Sequence, residues 1–224
     1  MTRPIALITG ATRGIGRAVV DQLAEDHHLL IGGRDPEAVQ ALVDQLPSAE
    51  PFVADLTDVE TTQKLVARIE RLDVIVHSAG LGEIGPLGEM TRDMWRETLE
   101  VNLVAVADLT RMLLPALRAA KGLVIAINSG AGLRANPDWG MYAASKHGLR
   151  AWTDSLRQEE AGVLRVTSIH PGRTDTDMQR HVQGDPADYD GSRFIRPETI
   201  ARGVRFVVDT GDDAVVEMLS IRPR

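Results

Sequence analysis

The chain has 224 residues, of which 43% are hydrophobic but only 4% aromatic, so we expect one domain over residues 1–224 with a mainly aliphatic core. The formal net charge of −7 argues against non-specific binding to nucleic acid, and the lack of cysteine excludes disulfides and thiol chemistry. The N-terminal apolar run is too short for a signal peptide, and no run reaches the roughly 18 residues of a membrane span. A cytoplasmic protein with no membrane partner is therefore expected.

Short apolar runs alternate with helical patterns along the chain. The predicted strands are residues 5–9, 28–33, 51–56, 73–80, 122–130, 164–172 and 214–221. The helical patterns are residues 14–25, a helix beginning at 35–37, a helix opened by a capping box of Thr57 and Glu60, and residues 91–120, 142–160 and 197–210. Because nearly all the strands are apolar on both faces, the pattern predicts a doubly wound α/β fold, a parallel seven-stranded sheet with helices on both faces. Residues 175–196 are the one long irregular stretch, which is typical of a functional loop, a lid or a poorly ordered segment.

A glycine-rich sequence, TGATRGIG, joins the first strand to the first helix over residues 9–16. Gly10, Gly14 and Gly16 would permit a tight turn and let the backbone approach a pyrophosphate, while the helix N-terminus supplies free N–H groups. A plain tight turn would also explain the glycines, so this motif alone is weak evidence.

Two arginines suggest which dinucleotide would bind. Arg13 lies inside the turn, and Arg34 directly follows the second strand, where a doubly wound fold meets the adenosine ribose. An acid there would accept from the 2′-hydroxyl of NAD, whereas arginine suits the 2′-phosphate of NADP. The neighbouring Asp35 favours NAD, but it is also a suitable N-cap before Pro36. We therefore predict NADP(H) in preference to NAD(H).

The ends of the third and fourth strands supply weaker signals. Asp55 could accept from the adenine amino group, although an ordinary loop-start aspartate would look the same. Ala79 and Gly80 would let a cofactor lie against the backbone. His77, just before them, is interpreted as a packed, hydrogen-bonded histidine.

A phenol and an amine lie four residues apart in MYAASKHGLRAW, and a surface pair would be the simplest explanation. However, Tyr142 and Lys146 occur with TGATRGIG, HSAG, Asn102 in EVNLV, Ser129 in INSGAG, and PGRTDT, in that order along the chain. This set resembles the short-chain dehydrogenase/reductase (SDR) family, classical type, over essentially the whole chain. The resemblance implies a Rossmann fold, an NADP-dependent enzyme acting on a small ketone, aldehyde or secondary alcohol, and a homodimer or homotetramer.

The resemblance also implies a role for each matching residue. Tyr142 would be the general acid in carbonyl reduction and the base in alcohol oxidation, its pKa lowered from about 10 towards about 7 by Lys146 and the oxidised nicotinamide. Ser129 would bind the substrate oxygen, and Asn102 would hold a water that relays protons to Lys146. The implied cofactor-binding residues are Gly10, Thr12, Arg13, Gly14, Ile15, Gly16, Arg34, Asp55, Leu56, Ala79, Gly80, Tyr142, Lys146, Pro171, Gly172, Thr174 and Thr176, with no metal. In this set Lys146 would bond the nicotinamide ribose, and residues 174–176 would receive its carboxamide.

Other features leave alternatives open. Candidate substrate-pocket residues, chosen by their proximity to the motifs, are Ala131, Leu133, Trp139, Met141, Arg173 and Met178. Arg173 could attract an anionic substrate or pair with Asp175 or Asp177. HSAG replaces the family's usual Asn-Asn-Ala-Gly, which leaves open how the central sheet is stabilised there. Positions that could pack between subunits, or against their own sheet, are Leu109, Leu113, Leu149 and Trp152.

Two other functions fit the same fold. A non-catalytic NADP-binding sensor or scaffold would keep the glycine turn, but it would not need a serine and a phenol at this spacing. A relative that isomerises or dehydrates its substrate would hold the nucleotide tightly, and the short C-terminal part leaves little room for the extra substrate domain such enzymes often use.

Overall fold

The structure is a computed structural model that describes residues 3–183, 187 and 189–224. Within them lie seven strands: β1 (Ile5–Thr9), β2 (His28–Gly33), β3 (Ala49–Val53), β4 (Val74–His77), β5 (Leu123–Ile127), β6 (Arg165–Pro171) and β7 (Met218–Ile221). They form one parallel sheet in the order β3-β2-β1-β4-β5-β6-β7. The chain runs from β1 to one edge and then returns to β4, which opens a crevice at the carboxyl ends of β1 and β4. The predicted doubly wound sheet is confirmed.

Helices cover both faces of the sheet. They are α1 (Gly14–Leu23), α2 (Pro36–Val43), α3 (Val59–Val66), α4 (Arg92–Leu99), α5 (Ala105–Ala120), α6 (Gly140–Glu159), α7 (Asp177–Gln183) and α8 (Pro197–Asp209). Aliphatic side chains of α1, α2 and α8 pack in one buried cluster, and those of α3, α5 and α6 pack in a second. The sheet is therefore enclosed between two layers of helices, which explains why its strands are apolar on both faces.

Some element boundaries differ from the sequence prediction. β3 is residues 49–53 rather than 51–56, and β7 begins at Met218 rather than at residue 214. The predicted capping box at Thr57 is wrong, because Asp58 is the N-cap of α3 and accepts from the Thr61 N–H at 3.1 Å. Thr57 instead donates its hydroxyl to Asp55 at 2.8 Å, which turns the chain after β3.

The helical pattern at 91–120 is not one continuous helix. A wider π-helical turn, Glu100–Val104, separates α4 from α5. The predicted irregular stretch at 175–196 contains α7 and a short 3₁₀ turn, Gly191–Arg193. The rest of that prediction falls partly on 184–186 and 188, which lie outside the described residues.

The apolar positions proposed for subunit contacts serve the core instead. Leu109, Leu113 and Leu149 are each no more than 1% exposed, and Trp152 is partly buried against the same layer. The prediction that the three leucines could pack between subunits is wrong, because α5 and α6 turn these side chains towards their own sheet. For Trp152 it stays a prediction. Among the described residues, the model contains no helix with the length and hydropathy needed to cross a membrane.

Candidate functional site

The glycine turn brings the end of β1 against the end of β4. Gly10 has φ +62°, and a Cβ there would lie 2.9 Å from both the N and the Cα of Ala79. The Thr9 hydroxyl accepts hydrogen bonds from the N–H groups of Ser78 and Ala79, at 3.1 and 3.2 Å. A Cβ at Gly16 would overlap the Gly10 carbonyl oxygen. The floor of the crevice is thus bare backbone, held closed by a threonine to which the sequence analysis gave no role.

The N-terminus of α1 faces this floor. Arg13 is its N-cap and is extended (φ −153°), and no side chain accepts a hydrogen bond at that cap. The partly buried Thr12 and Ile15 flank it. Thr176 lies on the other side, with its Cγ2 3.3 Å from where a Cβ of Gly14 would be. Free N–H groups, positive helix potential and an absence of side chains are the features that fit a pyrophosphate.

Beyond β2, the two candidate ribose residues have different environments. Asp35 caps α2 and accepts from two N–H groups of its first turn, at 3.0 and 3.1 Å. Arg34 is exposed and forms no ion pair with any described residue. It does help to lower the pKa of Asp55, although hydrogen bonds from Thr57 contribute more to that shift. The aspartate next to β2 is occupied by capping, and the arginine remains available to a phosphate.

Ser129, Tyr142 and Lys146 come together at the carboxyl edge of the sheet. Ser129 follows β5, and its side chain is hydrogen-bonded to the Tyr142 phenol. Lys146, one turn along α6, places its Nζ 5.8 Å from the centre of the tyrosine ring and donates to the Ile127 carbonyl at 3.2 Å. Tyr142 is 7% exposed and Lys146 4%, so the surface-pair interpretation is wrong. The amine also lies 3.8 Å from the Cβ position of Gly80, next to the glycine turn.

The phenol is not acidified in this setting. Burial raises the pKa of Tyr142, and the hydrogen bond from Ser129 lowers it without cancelling that effect. Burial also lowers the pKa of Lys146 to about 8, so the ammonium form is itself disfavoured. The expectation that Lys146 pulls the phenol pKa down is therefore not met by the chain's own groups. At neutral pH Tyr142 carries its proton, which suits it to donate.

Asn102 is fully buried in the π-helical turn and joins two parts of the site. Its Oδ1 accepts from the Leu81 N–H at 2.8 Å, and its Nδ2 donates to the Leu81 carbonyl and to Ser145, both at 3.0 Å. Ser145 in turn donates to the Tyr142 carbonyl at 2.7 Å. Both donors of the amide are thus used to tie the segment after β4 to α6. The water relay predicted for Asn102 remains a prediction.

A second buried network surrounds Ser129, and the sequence analysis missed it. Asn128 accepts from the Ser129 N–H at 2.8 Å and donates to the Lys146 carbonyl at 3.1 Å. His170 Nδ1 lies 2.9 Å from the Ser129 carbonyl, and its Nε2 is 2.9 Å from the Ser168 hydroxyl. A carbonyl only accepts, so Nδ1 carries the proton. Polar residues at buried positions of β6 and just after β5 were the available signal.

The segment 171–176 closes the crevice on its other side. Pro171 ends β6, and the Gly172 N–H donates to the Ile221 carbonyl at 2.7 Å. Thr174 donates to the Gly172 carbonyl at 3.0 Å, and Thr176 donates to the Thr174 carbonyl at 3.3 Å. Both hydroxyls thus lie in the turn between β6 and α7, and Thr176 also lies beside Gly14 of the glycine turn.

Apolar side chains surround the phenol. Ala131 and Trp139, two of the predicted pocket residues, pack with Ile84 around Tyr142, and the tryptophan and tyrosine rings meet edge to face at 5.8 Å. The other predicted pocket residues are less uniform. Met141 is buried, Leu133 is partly buried, and Met178 is 39% exposed and reaches across to Gly82. Ile84 comes from an irregular loop, which is why its sequence position carried no signal.

Arg173 does not form the ion pair that was one of its two predicted roles, and its attraction for an anionic substrate stays a prediction. Its guanidinium lies over the Phe194 ring, 5.3 Å from the ring centre. Asp175 and Asp177 both pair with Arg180 instead, at 2.8 and 2.9 Å. The prediction that Arg173 pairs with one of these aspartates is wrong, because Arg180 on α7 is closer to both.

His77 ties the end of β4 to α5, at the position where the resemblance leads one to expect an asparagine. Its Nε2 lies 2.8 Å from the Thr110 hydroxyl, which itself donates to the Val106 carbonyl, so Nε2 is the donor. The other ring nitrogen has no hydrogen-bond partner among the described residues, and the Trp152 ring packs edge to face at 6.3 Å. Burial lowers the pKa of His77 to about 3.

Across the part of the chain that the structure describes, no cluster of three or more His, Asp or Glu could hold a metal.

Comparisons with known proteins agree with this geometry. A family model described as short chain dehydrogenase matches residues 4–187. The 3-oxoacyl-[acyl-carrier-protein] reductase FabG of Thermotoga maritima is 31% identical over 219 residues, which are 91% of this chain and 89% of that protein. The alcohol dehydrogenase of Thermococcus sibiricus, solved with 5-hydroxy-NADP, has a TM-score of 0.90 at 28% identity and covers 99% of this chain and 97% of its own. Glycine betaine reductase ATRR of Emericella nidulans is 32% identical over 98% of this chain, but the chain spans only 19% of its length. The chain belongs to the short-chain dehydrogenase/reductase family.

Proposed function

We propose that this oxidoreductase uses NADP(H) to interconvert a small ketone or aldehyde and the corresponding alcohol, with Tyr142 as the general acid and base. The observation that carries the proposal is the Ser129–Tyr142 hydrogen bond with the buried Lys146 amine one helical turn away. A binding protein has no use for a buried phenol and amine at the edge of a dinucleotide crevice, because burying both groups costs free energy.

In the direction of reduction, the chain's groups act on the carbonyl oxygen. The Ser129 hydroxyl donates a hydrogen bond to that oxygen and holds the carbon in place. The Tyr142 hydroxyl then gives its proton to the same oxygen, and the Lys146 ammonium stabilises the phenolate left behind. When bound, NADPH supplies the hydride. Because the pKa of Tyr142 is raised, the phenol carries its proton at neutral pH and can donate it to the carbonyl oxygen.

The cofactor preference rests on charge. Arg34 and Arg13 are exposed arginines without an ion-pair partner among the described residues, while Asp35 is committed to capping α2. Arg34 would bind the 2′-phosphate with charge-assisted hydrogen bonds. The bound 5-hydroxy-NADP in the similar Thermococcus sibiricus enzyme supports the same preference.

We further propose that residues 1–224 act as one domain, that the protein works in the cytoplasm, and that it forms a homodimer or homotetramer. Exposed apolar side chains on α8 and β7, Phe206 at 59% and Met218 at 49%, are better candidates for subunit contacts than the core leucines. Light scattering tests the oligomer, and a monomer at micromolar concentration would refute it.

The function is tested by following NADPH oxidation at 340 nm with a panel of ketones and aldehydes. Tyr142→Phe should bind NADPH like the wild type but lose a factor of roughly 100 to 10,000 in turnover, the usual contribution of a general acid. A panel with no turnover, together with tight NADPH binding, would favour the sensor. Unchanged turnover by Tyr142→Phe would reject the proton-donor role.

A further inference from the structure

A cavity of about 380 Å³ opens beside the carboxyl end of β7, away from the glycine turn. Its lining consists of residues 191–196, Thr199 at the start of α8, and residues 221–224. We refer to it as the basic cavity, because four of its lining residues are arginines: Arg193, Arg196, Arg222 and Arg224. No aspartate or glutamate side chain is among the lining residues.

The charge of the basic cavity is uncompensated by its described surroundings. None of the four arginines forms an ion pair with a residue that the structure describes, whereas half of the arginines elsewhere do. The Asp190 carboxylate feels the charge of Arg193 but is already bonded to the N–H and hydroxyl of Ser192. The Asp175 carboxylate, 2.8 Å from the Cβ position of Gly191, is paired with Arg180. In a protein with a net charge of −7, four such cations around one cavity form a strong local attraction for anions.

The basic cavity also borders the residues proposed for catalysis. The Arg222 guanidinium lies against Gly130, the residue after Ser129, so closely that a Cβ there would overlap it. Pro223 lies 2.6 Å from the Cβ position of Gly172. The cavity wall at 193–195 runs beside 173–175 and exchanges backbone hydrogen bonds with it, at 3.0 and 2.8 Å. Arg222, a lining residue of the basic cavity, therefore contacts Gly130, the residue that follows Ser129 in the chain.

This position excludes the 2′-phosphate of NADP as the occupant. Arg34, the proposed partner of that phosphate, follows β2, and five strand-to-strand steps separate β2 from β7 in the sheet. At about 4.8 Å a step, the two sites lie roughly 24 Å apart across the sheet. The basic cavity needs a separate anion, on the substrate side of the crevice.

We propose that the basic cavity binds the anionic group, a carboxylate or a phosphate monoester, of the carbonyl substrate. The inference rests on the proposed function, because it assumes that a carbonyl is reduced at Ser129 and Tyr142. Guanidinium groups bind both anions through paired hydrogen bonds, so Arg222 and Arg196 would fix one end of the substrate while its carbonyl lies by Ser129. The substrates would then be ketones or aldehydes carrying a negative charge.

Binding can be measured without turnover. The protein is saturated with NADP⁺ and titrated calorimetrically with levulinate, with dihydroxyacetone phosphate, and with their neutral counterparts methyl levulinate and dihydroxyacetone. We expect the wild type to bind at least one anion, and Arg222→Ala and Arg196→Ala to weaken that binding at least tenfold. Arg68→Ala removes an exposed arginine after α3 that has no ion-pair partner among the described residues, and should change nothing. The anion that binds more tightly identifies the source of the charge.

Kinetics then connects the cavity to the reaction. For substrates that are reduced, the ratio of kcat/KM for the anionic compound to that for its neutral counterpart should fall at least tenfold in Arg222→Ala and should be unchanged in Arg68→Ala. Reduction of neutral ketones with no arginine-dependent anion binding would overturn this inference and leave the proposed function intact. Arginine-dependent binding with no reduction of any carbonyl would overturn both.

Discussion

Acidification should destabilise the protein, and His77 should account for a measurable part of the loss. The ring is 2% exposed, its pKa is lowered to about 3 by burial, and one of its nitrogens has no partner. In the unfolded chain the same ring has a pKa of about 6.5. Below pH 6.5 the unfolded state therefore takes up a proton that the folded state refuses, and stability falls until about pH 3.

The size of the effect follows from these two values. At pH 5 the unfolded ring is protonated and the folded ring is neutral, so the loss is about 1.5 pH units times 1.36 kcal/mol, or about 2 kcal/mol. This figure depends on the unfolded pKa alone, because the folded value lies well below pH 5. Urea unfolding at pH 7.5 and 5.0 measures it, at one protein concentration.

His77→Gln provides the comparison. A glutamine amide can still donate to Thr110 but does not titrate, so its loss of stability between pH 7.5 and 5.0 should be about 2 kcal/mol smaller than that of the wild type. Any contribution from the buried His170, whose pKa is also lowered by burial, is common to both proteins and cancels. Equal losses within about 0.5 kcal/mol would show that His77 is not the neutral, desolvated group described above.

Three further substitutions test the crevice. Gly10→Ala places a Cβ against the end of the fourth strand, at a residue with positive φ. It should lower the free energy of unfolding by about 2 kcal/mol or more, and it should weaken NADPH binding in a fluorescence titration. Wild-type values for both would refute the close approach of Gly10 to Ala79. Arg34→Ala should raise the KM for NADPH roughly 10- to 100-fold, because a hydrogen bond to a charged group is lost, and should leave the KM for NADH nearly unchanged. The control Arg68→Ala should alter neither KM. We expect kcat/KM of the wild type to decline as the pH rises through about 8 and the Lys146 ammonium is lost. Lys146→Met should slow reduction and abolish that decline, whereas the exposed control Lys64→Met should keep it; a decline that survives in Lys146→Met would reject the assignment.

Much of the fold was predictable because each layer leaves a local signal. A strand such as β5, Leu123–Ile127, is buried on both faces and therefore reads as an unbroken apolar run. The proximity of Ser129 to Tyr142 followed from the family resemblance. Strand ends were less certain, since the polar turn after β3 is set by hydrogen bonds of Asp55 rather than by hydropathy.

What the sequence did not indicate depends on tertiary surroundings. The spacing of Tyr142 and Lys146 suggested a lowered phenol pKa, but burial of both groups reverses the direction. Leu109 and Leu113 looked available for subunit contacts because periodicity shows that a helix has an apolar face without showing what covers it. The basic cavity gathers residues from two separate parts of the chain, so no single stretch announced it.

The π-helical turn at Glu100–Val104 sets the direction in which the side chains of α5 point. Each residue of a regular helix advances about 100° around the axis, so the one extra residue accommodated here rotates α5 by that amount relative to α4. Asn102 is thereby directed inward at the bulge, while the leucines beyond it still meet the sheet. Removing a single residue from this turn would rotate the apolar face of α5 towards solvent. The shortened chain would lose the packing of α5 on the sheet although every residue proposed for catalysis was still present.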